Sequence, residues 1–104
     1  YLQVLHPNGG EVLTIGSQVD ILWESNLGSC SWGMDILLIM GNDSVLTINY
    51  GPTDSGIYEW QIPGTLEPAD NYKIYIESLC AGGGSYCDGC HGDESDDSFS
   101  MVNN

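Results

Sequence analysis

The sequence predicts an all-β domain, an immunoglobulin-like antiparallel β-sandwich of about seven strands. Three observations point there. Gln18-Val19-Asp20-Ile21-Leu22-Trp23-Glu24 alternates: Val19, Ile21 and Trp23 fall on one face of an extended strand, and Asp20, Leu22 and Glu24 on the other. The 14 glycines, with turn sequences such as Asn8-Gly9 and Asn49-Tyr50-Gly51-Pro52, cut the chain into short pieces. No stretch carries the 3.6-residue period of a helix. At 104 residues there is room for one modest core, so residues 1–104 read as a single domain.

The elements follow in order. Tyr1 to Leu5 is a first strand, stopped by His6-Pro7-Asn8-Gly9-Gly10, where Pro7 offers no ladder donor and the glycines admit turn dihedrals. His6, in this turn, is read as structural or solvent-facing. Glu11 to Ile15 is a short second piece ended by Gly16, and the strand at 18–24 follows. Trp23 is assigned to the core, as a buried indole anchors many sandwiches. Ser25 to Gly33 reads as a loop. Met34 to Met40 is apolar on both faces, which fits an interior strand or one covered by a partner. After a turn at Gly41-Asn42-Asp43, Ser44 to Tyr50 alternates, with Leu46, Ile48 and Tyr50 inward and Val45, Thr47 and Asn49 outward. Gly51 to Gly56 turns the chain again. Tyr58-Glu59-Trp60-Gln61-Ile62 places both aromatics on the core face. In Asn71 to Leu79, Tyr72, Ile74 and Ile76 share one face, and Lys73, Tyr75 and Glu77 the other. A long loop rich in Gly, Cys and acids spans Cys80 to Asp97, and Ser98 to Val102 closes the domain.

Charge excludes whole classes of function. Fifteen acids face one base, Lys73, for a net charge of -14. Phosphate backbones require Lys and Arg, so nucleic acid is not a partner, and anionic membrane surfaces are disfavoured on the same ground. The longest apolar run, Ile36 to Met40, is far short of the roughly 20 residues that span a bilayer, so this segment does not insert into a membrane. The chain starts at Tyr1 without methionine and is expected to be a processed or excised segment.

The ordered motifs Pro7-Asn8-Gly9-Gly10-Glu11, Gly16-Ser17, Val19 to Trp23, Tyr58 to Pro63, Asn71 to Ile76 and Asp97-Ser98-Phe99 run nearly the length of the chain. In them the sequence resembles the extracellular immunoglobulin-like modules of the yeast cell-wall synthesis and Ser-Thr-rich GPI-anchored family. The resemblance implies a secreted β-sandwich used as a wall-associated, adhesive or spacer module, with no catalytic residues to carry over. The four cysteines and the acidic loop at 80–97 depart from that family's pattern.

Cys30, Cys80, Cys87 and Cys90 are an even set in a small domain that looks secreted, which predicts two disulfides. In the expected topology the loop of Cys30 and the loop of the other three share one end of the sandwich. Cys30 is therefore expected to pair with one of Cys80, Cys87 and Cys90, and the remaining two with each other. A competing reading takes Cys87-Asp88-Gly89-Cys90-His91, with Cys80 or Cys30, as a zinc site. Haem attachment also uses this spacing, but a thin sandwich offers it no pocket. Asp88, Asp93, Glu94, Asp96 and Asp97 crowd the same loop, and hard cations such as calcium take oxygen ligands from flexible loops. The EF-hand spacing is missing, and the alternative is a solvated acidic loop.

Asn42-Asp43-Ser44 is an N-glycosylation sequon on an expected turn. Trp32, Tyr50, Tyr75 and Tyr86 are candidates for exposed aromatics that stack on sugars. The sequence fixes no arrangement of a nucleophile with a base or of a carboxylate pair on rigid strands, and it carries no phosphate loop or hydrolase elbow, so no enzyme is expected. The expected function is therefore a non-enzymatic extracellular structural or adhesive module of a cell-surface, cell-wall or filament-forming protein. Its partners would be neighbouring modules or copies of itself. The alternative is a module binding glycans or calcium at the Cys30/Cys80–Asp97 end.

Overall fold

A computed structural model of the chain describes residues 2–25, 31–50, 55–80 and 92–103, with Ser31, Trp32, Leu79 and Cys80 described as backbone only. The described residues form two β-sheets and no helix. The smaller sheet joins β1 (Leu2–His6), β3 (Gln18–Ser25) and β6 (Ile57–Gln61) in the antiparallel order β1-β3-β6. The larger sheet runs β2 (Val12–Thr14), β9 (Phe99–Val102), β7 (Ala69–Cys80), β4 (Ser31–Met40), β5 (Asp43–Tyr50). A further short strand, β8 (Gly92–Glu94), pairs with β7 on the side that β9 occupies lower down. Among the described residues, only the β2–β9 pair is parallel. The chain leaves the smaller sheet at the end of β1, turns at Pro7–Gly10 and enters the larger one as β2.

The alternation read from the sequence sets the core. Val4, Ile21 and Trp23 face inward from the smaller sheet, and Met34, Ile36, Leu38, Ile74 and Ile76 from the larger. Each such side chain, fully buried, contributes about 1.5–3 kcal/mol relative to exposure. Tyr72 stacks on Phe99 with ring centroids 6.3 Å apart, and its hydroxyl donates to the Glu67 carbonyl. That bond, five residues back at the start of β7, is the tyrosine corner of immunoglobulin-like sandwiches. Burial, and secondarily Glu67, raises the Tyr72 pKa, which keeps the hydroxyl a donor.

The structure corrects four expectations. Part of the expected loop Ser25 to Gly33 is strand, because β4 begins at Ser31 to pair with β7 from Tyr72 to Cys80. The expected loop Cys80 to Asp97 contains β8, held by backbone pairing and not by apolar alternation. The strand count is nine among the described residues, since β2 and β8 are three-residue edge pieces. Tyr50 points outward, 73% exposed, although alternation placed it inward. The β4–β5 register slips between Ile36 and Leu37, so β5 gains a residue there and its parity flips. Tyr50 thereby lies opposite Asp35 on the outer face.

The two-faced apolarity of β4 has a direct cause. It lies between β7 and β5 with Ile36 and Leu38 wholly buried, while Leu37 and Ile39 on the outer face are half-buried. Ile36→Ala should therefore cost about 2–5 kcal/mol in denaturant unfolding, as for a core cavity. Val45→Ala, on the exposed side of β5, should stay within about 0.5 kcal/mol. Equal costs for the two would contradict this facing.

Candidate functional site

Two stretches distant in sequence, Pro7–Glu11 and Asp93–Ser98, meet at one edge of the sandwich. β8 sets Asp93 opposite Ile76, so its carboxylate points toward the smaller sheet and accepts the Val4 N–H at 2.8 Å. Ser95 is buried; its Oγ donates to the Pro7 carbonyl at 2.7 Å and accepts the Ile74 N–H at 3.0 Å. Asn8 and Asp96 bond reciprocally: Asn8 Nδ2 donates to Asp96 Oδ2 at 3.0 Å, and Asp96 N–H donates to Asn8 Oδ1 at 2.7 Å. The Asp97 N–H donates to the Asn8 carbonyl, and Gly10 N–H to the Ser98 carbonyl. Gly9 takes φ +145°, and a Cβ there would stand 2.7 Å from the Asp97 Cβ, so only glycine fits.

Glu11 closes the turn from within. Its carboxylate accepts the Asn8 N–H at 2.9 Å and the Gly9 N–H at 2.7 Å, with His6 Nδ1 3.3 Å away. Burial works to raise the Glu11 pKa, but these donors and the proximity of His6 outweigh it and hold the carboxyl below its ordinary value.

The acids expected to bind calcium are thus largely engaged in bonds of the fold. Asp93 and Asp96 are bonded as described, Asp97 accepts the Ser98 N–H, and Glu94 is exposed opposite Tyr75. Among the described residues no group of three or more His, Cys, Asp or Glu is placed to hold a metal ion. Asp88, Cys30, Cys87, Cys90, His91 and Tyr86 lie outside the described residues, as do the side chains of Cys80 and Trp32. Ser31, the residue after Cys30, is the register partner of Cys80 at the end of β7.

A different place offers room for a ligand. On the outer face of the larger sheet an open groove of about 540 Å³ has Leu37 and Ile39 on its floor, Tyr75 and Glu94 along one side, and Asn42 and Ser44 at the β4–β5 turn. Sequence reasoning singled out Tyr75 and Asn42 separately; the β4–β7 register brings them to one groove. Burial, then Glu77, Glu94 and Asp35, raise the Tyr75 pKa, so its phenol stays a neutral donor. Farther along β4, Asp35 Oδ1 is buried with no hydrogen-bond partner among the described residues. Its pKa is raised by burial.

These two carboxyls give opposite pH signatures. The folded pKa of Glu11 lies below its unfolded value, so its stabilisation is complete above about pH 4.5 and is lost as pH falls through the folded pKa. Asp35 is the reverse: its charge opposes folding above the raised pKa, and that penalty is gone below the unfolded value of 3.8. Denaturant midpoints should show Glu11→Gln less stable than the wild type at pH 7, and Asp35→Asn more stable. Both differences should shrink as the pH is lowered through the acid range.

No protein-family model matches the chain, and no curated protein does. A solved structure, of the fibronectin(III)-like modules of CbhA from Clostridium thermocellum, is similar with a TM-score of 0.55 and 13% sequence identity. The match covers 99% of this chain and 94% of that one. At this identity the likeness shows the fold alone: the chain is a two-sheet β-sandwich of fibronectin III-like kind.

Proposed function

We propose that this chain is a non-enzymatic structural or adhesive module of an extracellular surface or wall protein, joined to neighbouring modules. One observation carries the reading: most of the described acids at the Pro7–Glu11 and Asp93–Ser98 edge are spent on the fold. Asp93 and Asp96 accept hydrogen bonds that tie β1 and its turn to β8 and the segment after it, and Glu11 accepts the N–H groups of the turn itself. The fibronectin(III)-like modules of CbhA support the modular part, and the resemblance of Pro7–Glu11 and Tyr58–Pro63 to wall-protein modules supports the location. The net charge of -14 suits a soluble spacer in a salty medium. Two disulfides among Cys30, Cys80, Cys87 and Cys90 belong to this reading, and the Ser31–Cys80 pairing supports Cys30 joined to Cys80 or its loop. So does a glycan on the exposed Asn42.

The test separates structural acids from ligand-binding ones by the sign of an effect. In metal-free buffer, Asp93→Ala leaves the buried Val4 N–H unpaired and should cost about 1–3 kcal/mol. A calcium site behaves oppositely, because deleting one of several like charges relieves repulsion in the empty form. A more stable Asp93→Ala variant, together with a wild-type melting temperature that climbs with added calcium, would replace the structural reading with a ligand-binding one.

A further inference from the structure

The groove on the outer face of the larger sheet is apolar beneath and polar at its rim, and its rim carries an acceptor for a covalent sugar. We infer that this groove seats the first sugar of an N-linked glycan attached to Asn42. The inference deepens the reading of Asn42 as a glycosylated residue of a secreted module, and rests on it.

Position comes first. Asn42 lies in the turn between β4 and β5, where Gly41 takes φ +62° and leaves Asn42 exposed. It is itself part of the groove, as is Ser44, the hydroxyl residue of the sequon. A sugar joined to Asn42 Nδ2 is thus tethered at the lip, which removes most of the entropic cost of association.

Chemistry selects the occupant. Leu37 and Ile39 present half-buried aliphatic surface, Tyr75 adds an aromatic ring with a phenol donor, and Ser44 and Glu94 offer polar partners at the rim. An N-acetylhexosamine has the matching form: a C–H face for the floor and ring, and hydroxyl and acetamido edges for the rim. It is neutral, whereas an anionic ligand would meet Glu94 at the rim and a net charge of -14. The volume of about 540 Å³ lies within the roughly 300–1,000 Å³ of small-ligand clefts. The Tyr75 wall depends on Gly92, where a Cβ would stand 2.6 Å from the Tyr75 hydroxyl.

The attachment is an ordinary group transfer made by the host's oligosaccharyltransferase. Asn42 Nδ2 bonds to C1 of the N-acetylhexosamine of a polyprenyl-diphosphate oligosaccharide. The C1–O bond to diphosphate breaks, the electron pair leaves with the diphosphate, and Nδ2 releases one proton.

The experiment is secretion of the whole chain from a eukaryotic host, followed by endoglycosidase trimming to a single N-acetylglucosamine, with Asn42→Gln as the sugar-free control. The expected result is the added mass at Asn42, nuclear Overhauser contacts from the sugar to the Leu37 and Ile39 methyls, and a melting temperature about 4 °C or more above the control. Leu37→Ser should abolish that increment while keeping the sugar. An unmodified Asn42 would overturn the glycosylation reading and the inference with it. A sugar present without methyl contacts, or an increment that survives in Leu37→Ser, would overturn the inference alone and leave the glycosylation reading standing.

Discussion

The edge where Pro7–Glu11 meets Asp93–Ser98 is the constraint on which the rest of the structure depends. β1 belongs to the smaller sheet and β2 to the larger, so the chain must change sheets within a few residues. The backbone groups at such a crossing leave one ladder before they join the next, and buried unpaired groups each cost about 1–3 kcal/mol. Here Glu11 takes up the Asn8 and Gly9 N–H groups, while the Ser95 hydroxyl and the Asp97 N–H serve the carbonyls of Pro7 and Asn8. Gly9 must lack a side chain because Asp97 stands against it. With this edge closed, β2 falls into parallel register on β9 and the two inner faces are brought together around Trp23 and Ile36.

This arrangement divides the molecule by role. The Pro7–Glu11 edge is committed to folding, and its acids gain their positions by accepting internal hydrogen bonds. The outer face of the larger sheet is not so committed. Asp35 has a buried oxygen without a partner among the described residues, Tyr50 stands 73% exposed beside it, and the groove over Leu37 and Ile39 lies open. Such features add nothing to the stability of an isolated domain, and Asp35 detracts from it.

The sequence made the inner faces legible because alternation reports burial directly: Ile21 and Trp23, Tyr72 through Ile76, and Phe99 with Met101 lie where a period of two puts them. The class of fold followed from that pattern and the turn residues. Tyr50 was not legible, since a bulge leaves no mark in apolar spacing and reverses the face of every residue beyond it. β8 was hidden for a related reason: Gly92-Asp93-Glu94 has no strand propensity and is held by backbone pairing with β7 and by the Asp93–Val4 bond. Asn8-Gly9-Gly10-Glu11 was readable as a turn. That it answers Ser95-Asp96-Asp97 was not, because their pairing spans almost the whole chain. Of the acids at 88–97 that read as a cation loop when taken alone, Asp93 and Asp96 accept hydrogen bonds from Val4 and Asn8 in the fold.

The most direct measurement is amide hydrogen exchange, residue by residue, in metal-free buffer at neutral pH. Val4, Gly9, Gly10 and Asp97 are among the amides whose protection depends on the Pro7–Glu11 and Asp93–Ser98 contacts. The account predicts that they exchange far more slowly than free peptide, with Val4 and Asp97 approaching the protection of the core strands. Exchange of these amides at free-peptide rates, beside a protected Ile36, would show that the edge is not closed and that its acids are available for something else.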